Sequence, residues 1–274
     1  MKKFFVVGLL FCLGAGITFA ADDRSRLTLD FGNSFTFGKV SYKDVTIEGD
    51  SGSFNPRAAL ELKFGGWPLA VGGEYIASDC EFSGEYEDDD GEIGRGSLNI
   101  EHNEFTIYLK FVPWYNFNLR LGYRNFDYDI TDANIDRYRN GSLYKTYASG
   151  STHAQLDSGI DAQAVFIIGS PRSVNLGLLL GYTYFVDGEY EWEYIETLHG
   201  HSRSYSGSAT ANAHSVRIRP ELSIPLGENF RIYANIEAAA TAWDADVADD
   251  DPEFPGYDFF VGATVGLRYG FDVF

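Results

Sequence analysis

Apolar and polar residues alternate along this chain in runs of about ten. A period of two is the spacing that sends successive side chains to opposite faces of a β-sheet. Ten such runs can be traced, over residues 27–37, 58–64, 69–77, 105–111, 117–123, 160–168, 176–186, 216–224, 232–240 and 259–273. The connections alternate as well. Gly65–Pro68, Pro113–Asn116, Ser170–Ser173 and Leu226–Asn229 are short and rich in turn formers. Longer polar stretches lie near 40–53, 79–97, 127–152, 187–209 and 244–256. Strands even in number, joined in turn by short and long connections, are the pattern of an antiparallel up-and-down transmembrane β-barrel. The reading is therefore all-β with about ten strands; eight or twelve remain open, because the fourth and fifth runs are hard to delimit. A soluble sandwich shares the alternation but leaves the loop asymmetry unexplained.

Export is expected from the N-terminus. Lys2 and Lys3 precede the apolar Phe4–Gly14, and Thr18-Phe19-Ala20 offers small residues for cleavage after Ala20. Residues 1–20 thus read as a signal peptide and 21–274 as the barrel. Removing Cys12 with the signal leaves Cys80 alone, so no intramolecular disulfide forms. No later segment has the 18 apolar residues of a helical span. These features imply a Gram-negative outer membrane, with lipid and lipopolysaccharide as surroundings. Phe274 would be the residue read by the barrel-assembly machinery, and a monomer is expected.

Charge is distributed unevenly. Nearly all of the formal net charge of −19 falls in the five long stretches. The strand runs are close to neutral, with their charges in the polar phase. These are Arg57, Lys63, Lys110, Arg120, Arg124, Arg217, Arg219, Arg231 and Arg268, against Asp30, Glu61, Glu74, Glu104, Asp161, Glu221 and Glu237. Facing lipid, an Arg or Lys at mid-membrane costs about 2–4 kcal/mol. They should point inward and pair, as a salt-bridge lattice or as the lining of an ion path. Val165, Ile167, Leu179 and Phe185 share the inward phase. Trp67, Trp114 and Tyr115 stand where an aromatic girdle would mark one membrane interface, and Tyr123, Tyr128, Tyr182 and Tyr184 where it would mark the other.

In the long stretches, Asp88, Asp89, Asp90 and Glu92, and Asp249, Asp250 and Asp251, are hard oxygen ligands suited to loosely bound Ca²⁺ or Mg²⁺. A solvated acidic surface explains them equally well, and such a surface excludes nucleic acid as a partner. Tyr190, Trp192, Tyr194 and Tyr205 are suited either to binding or to packing one hairpin on another. The alternation of Glu189, Glu191 and Glu193 with them extends the seventh strand beyond the bilayer.

With its C-terminal Gly270-Phe271-Asp272-Val273-Phe274, the chain resembles the small outer-membrane barrels: the OmpA transmembrane domain, OmpX, OmpW and, at ten strands, the omptin proteases. The likeness is architectural. Those barrels usually carry an aromatic two residues before the last Phe. Here Asp272 stands there and Phe271 and Tyr269 fall in the other phase, which a β-bulge would accommodate. Omptins set two aspartates against an Asp–His pair above the bilayer. Asp127 and Asp129, and Asp244 and Asp246, share strand faces, but His199 and His201 have no Asp-x-His beside them, and His153 and His214 lie elsewhere. The reading is a structural or surface-interaction barrel, with or without a narrow pore; a small passive channel and a barrel hydrolase are the alternatives.

Overall fold

The structure is a computed structural model, and it describes residues 24–42, 45–50, 55–87, 92–170, 172–245 and 257–273. Its elements are β1 (Arg26–Tyr42), β2 (Val45–Asp50), β3 (Asn55–Lys63), β4 (Leu69–Glu87), β5 (Ile93–Trp114), β6 (Phe117–Arg139), β7 (Ser142–Gly169), β8 (Asn175–Leu198), β9 (His201–Pro225), β10 (Phe230–Ala245) and β11 (Tyr257–Asp272). Each pairs antiparallel with its neighbour, and β11 closes on β1 from Arg26↔Asp272 to Val40↔Asp258 without a break. The ring therefore has ten strands. β2 is an eleventh segment, wedged between the far half of β1 and the Glu81–Phe82 part of β4. At the level where β1 lies between β3 and β11, closure leaves no open edge among the described residues, as a sheet in hydrocarbon requires. The last strand keeps its register throughout its described length, so the bulge anticipated near Asp272 is absent there.

The long stretches of the middle of the chain are not loops. Residues 79–87, 93–97, 127–139, 142–152, 187–198 and 201–209 are strand, paired except at bulges such as those at Asp132 and Asp187. Two of these hairpins turn on two residues with positive φ, Asn140-Gly141 (52° and 75°) and His199-Gly200 (51° and 81°). That is the type I′ turn, whose twist matches the flanking strands. Register shifts at Ser97/Asn99, Ala148/Ser151 and Phe185/Gly188 bend these extensions.

The outer wall carries an apolar band that includes Val71, Ile107, Leu121, Ile160, Leu180, Val216, Ile236 and Leu267. Trp67, Trp114 and Tyr115 are exposed at its short-turn edge, and Tyr75, Tyr123 and Tyr182 at the other. Tyr128 is not in that girdle: it faces inward and is buried. Beyond the girdle the polarity of both faces exchanges. Along β5 the inward residues change from Tyr108, Thr106 and Glu104 to Ile100 and Leu98, while the outward ones change from Leu109, Ile107 and Phe105 to Asn103 and Glu101. The period of two continues while the apolar face moves from outside to inside. On β5 this is why a reading that follows one apolar face ends the strand too early.

Candidate functional site

Three tiers fill the barrel. The middle tier is an ion-pair lattice of four arginines and four carboxylates. Arg124 Nη2 lies 2.6 Å from Glu104 Oε2, and Arg217 Nη1 lies 3.1 Å from Glu104 Oε1. Arg217 also reaches Asp161 at 3.4 Å and Glu237 at 3.4 Å. Arg219 contacts Glu74 at 3.1 Å and Glu237 at 3.3 Å, and Arg57 bridges the same two carboxylates. Thr183 donates to Asp161 at 2.7 Å and accepts from Arg124 at 3.1 Å. Except for Glu237, every member is at most 8 % exposed in its side chain, so this level has no room for a wide pore.

Towards the short turns the lattice continues more loosely. Arg268 forks between Asp30 at 2.8 Å and Glu221 at 2.9 Å. Lys110 pairs with Glu61 at 2.7 Å, Tyr108 donates to the same carboxylate, and Arg120 stands 3.9 Å from it over the Tyr108 ring. Arg231 donates to Ser223 and to the Ser173 carbonyl. Lys63 ends β3 at this rim, half-buried. A cavity of about 1090 Å³ runs from the short turns, at Arg172 and Glu228, up to Arg57, Glu74 and Arg219. Val165, Ile167 and Leu179 line it, whereas Phe185 sits above it.

The third tier is apolar. Cys80, Leu98, Ile100, Phe126, Tyr128, Ala154, Leu156, Phe185, Tyr190, Trp192 and Ala213 form one buried cluster inside the long hairpins. Glycines on neighbouring strands make the space: a Cβ on Gly159 would come within 2.6 Å of the Phe185 ring, and one on Gly207 would overlap the Trp192 ring. Tyr190 and Trp192 are thus packing residues, and Tyr194 stacks on Tyr205 at 5.0 Å. The exposed face of the same strand presents Glu189, Glu191 and Glu193.

His199 and His201 are exposed at a hairpin tip, and neither ring makes a hydrogen bond or ion pair among the described residues. The structure instead brings His153 to Asp129, Nδ1 to Oδ1 2.6 Å, with Asp127 Oδ1 3.7 Å away. Partial burial opposes the charged ring, but the Asp129 hydrogen bond and the charges of Asp129 and Asp127 carry its pKa above the usual value. Asp127 is itself pushed up by partial burial and by Asp129 and Asp157. These three side chains lie on the outer face of adjacent strands, not across a cleft; the inward neighbours, Phe126 and Tyr128, are core. Glu92 is engaged by Tyr144 and by Arg139, whose Nε donates at 2.6 Å, and so differs from the free cation ligand that its acidic run predicted. Asp88, Asp89, Asp90, Asp249, Asp250, Asp251 and Phe274 lie outside the described residues, as does the segment read as a signal peptide.

No family model matches the sequence, and no curated protein matches it. Solved structures do. The outer-membrane protease OmpT of Escherichia coli superposes with a TM-score of 0.51 at 13 % identity, over 93 % of this chain and 99 % of that one. The fold is that of the outer-membrane β-barrels. The translocator domain of the autotransporter NalP from Neisseria meningitidis gives 0.45 at 11 % identity, over 98 % of this chain and 95 % of that one. A deletion mutant of the monoaromatic hydrocarbon channel TodX gives 0.39 at 10 %, over 96 % and 94 %. At such identities the likeness is one of fold alone.

Proposed function

We propose that the chain is an integral protein of a Gram-negative outer membrane, exported by its N-terminal signal, with the short turns in the periplasm. It acts as a structural and surface-interaction barrel. The long hairpins project beyond the bilayer and present an acidic face, Glu189, Glu191 and Glu193 among its residues. The observation that carries this reading is the apolar cluster inside those hairpins, stacked on a charge-balanced lattice. Water and ions crossing the lumen would have to displace both. A narrow pore is the second reading, favoured by the 1090 Å³ cavity that penetrates from the short-turn end.

Planar-bilayer recording on the refolded protein separates them, once heat-modifiable migration on a gel has shown that the barrel is folded. The expected result is a folded barrel without discrete openings. Stable unitary openings whose ion selectivity changes in Arg217→Gln would overturn the closed-barrel reading in favour of the channel.

A further inference from the structure

Asp127 and Asp129 of β6 and His153 of β7 meet on the outer wall, just past the aromatic edge of the apolar band. The i, i+2 spacing puts both carboxylates on one face, and the β6–β7 register places His153 directly opposite Asp129. One ligand atom from each of the three lies within 4.8 Å of the other two. A simple His–Asp ion pair uses one carboxylate. Here a second converges: Asp127 Oδ1 stands 3.7 Å from the same Nδ1 and makes no hydrogen bond of its own. An acceptor placed this way has a lone pair left for a further partner.

The surroundings are rich in acid, which favours a cation. In the row that runs across β4 to β8, Asp79, Glu101, Asp129, His153 and Glu191 stand side by side. The adjacent row holds Asn103, Asp127, Gln155 and Glu189. Neither row contains a lysine or arginine. Asp157, the other acid close by, is already held by Gln155 and Asn125.

We propose that Asp127, Asp129 and His153 form a binding site for a borderline divalent metal ion of the zinc class. One imidazole nitrogen and two carboxylate oxygens are the donor set such ions select, whereas Ca²⁺ and Mg²⁺ prefer oxygen alone. Three protein ligands on a convex wall leave the remaining positions open to water or to a ligand from outside. The His153 Nδ1 faces both carboxylates, and Gln155 also hydrogen-bonds the ring, so the imidazole is held on its strand as an oriented ligand.

The test is calorimetric titration of the refolded full chain in detergent with Zn²⁺ alone, repeated with Mg²⁺. One Zn²⁺ site is expected, with Mg²⁺ binding far more weakly. His153→Gln and Asp127→Asn should each weaken Zn²⁺ by at least about tenfold, the lower end of what losing even an outer-shell partner costs a metal site. Asp127→Asn is the informative variant, because it leaves the His153–Asp129 pair intact. Asp157→Asn is the control and should bind as the parent does. Equal Zn²⁺ binding by the parent and Asp127→Asn would overturn the proposal, as would Mg²⁺ binding as tightly as Zn²⁺. Should a variant fail to refold, the His153 ring resonances of the parent decide: unmoved by one equivalent of Zn²⁺, they too would overturn it.

Discussion

The membrane-level barrel and the hairpin level above it are made of the same strands, yet they are built inside out relative to each other. Below the Tyr75, Tyr123 and Tyr182 edge, apolar side chains face out and the Glu104, Arg124, Asp161 and Arg217 lattice faces in. Above it, Ile100, Phe126, Leu156, Phe185 and Ala213 face in and Glu101, Asp129, His153 and Glu191 face out. Five strands make this exchange at a common height. The exchange therefore marks where the solvent changes from lipid to water, independently of any single girdle residue. It also separates two ways of filling a lumen. The lower part depends on the pairing and hydrogen bonding of its charges, whereas the upper part depends on close packing, as a soluble core does.

The lower tier should show the largest response to a single change. Glu104→Leu removes the shared acceptor of Arg124 and Arg217, whose guanidinium groups stay charged at any accessible pH. Breaking a buried ion pair from one side costs about 3–5 kcal/mol. Urea unfolding of the refolded barrel should register a loss of that size. A loss below about 1 kcal/mol, the range of exposed ion pairs, would mean that the lattice is wet and the lumen open.

The next effect bears on the boundary itself, within one strand. Ile107 and Glu101 both face out from β5, six residues apart, which is about 20 Å along the strand. Ile107→Arg should cost about 2–4 kcal/mol, as an arginine on the lipid face does. Glu101→Arg should stay within about 0.5 kcal/mol, like an ordinary surface change. Unfolding measured for both variants locates the membrane edge. Equal costs would place Glu101 in lipid and remove the two-level description.

Much of the lower level can be read from the sequence, because a lipid-facing band imposes one phase for ten residues at a time. The ten runs, the four short turns and the inward phase of the arginines all follow from that constraint. The upper level is harder to read for two reasons. Its apolar residues, such as Ile100, Phe126 and Phe185, occupy the phase that is polar lower down, so those strands look as if they have ended. And its contacts depend on hairpin register. Asn140-Gly141 is the dipeptide most strongly associated with a two-residue turn. Eleven residues back from Asn140 is Asp129, and eleven forward from Gly141 is residue 152, one short of its observed partner His153. The turn signal was present for the Asp–His contact, but the β-bulges that supply the last residue of offset carry no comparable mark.

The smallest expected effect is confined to the hairpin level and depends on pH. The Tyr144 hydroxyl and the Arg139 guanidinium hold the Glu92 carboxyl below the usual carboxylate range, with the Tyr144 hydrogen bond the larger cause. An unfolded chain returns it to about 4.3. A folded pKa below the unfolded one means that the carboxylate stabilises the folded hairpin fully above the unfolded pKa and loses that contribution as pH falls through the folded value. The strand ends that meet there, Ile93 of β5, Tyr138 of β6 and Leu143 of β7, are paired directly. Their amide protection, corrected for intrinsic exchange, should fall in the parent between about pH 5 and pH 3. In Glu92→Gln it should already be reduced at pH 6 and change little below it. Protection at Glu104 and Asp161, in the membrane-level lattice, should be the same in both proteins across this range, since nothing there senses Glu92. If the two levels lost protection together, the apolar cluster would be coupled to the lattice rather than stacked on it, and the barrel would open as one unit instead of two.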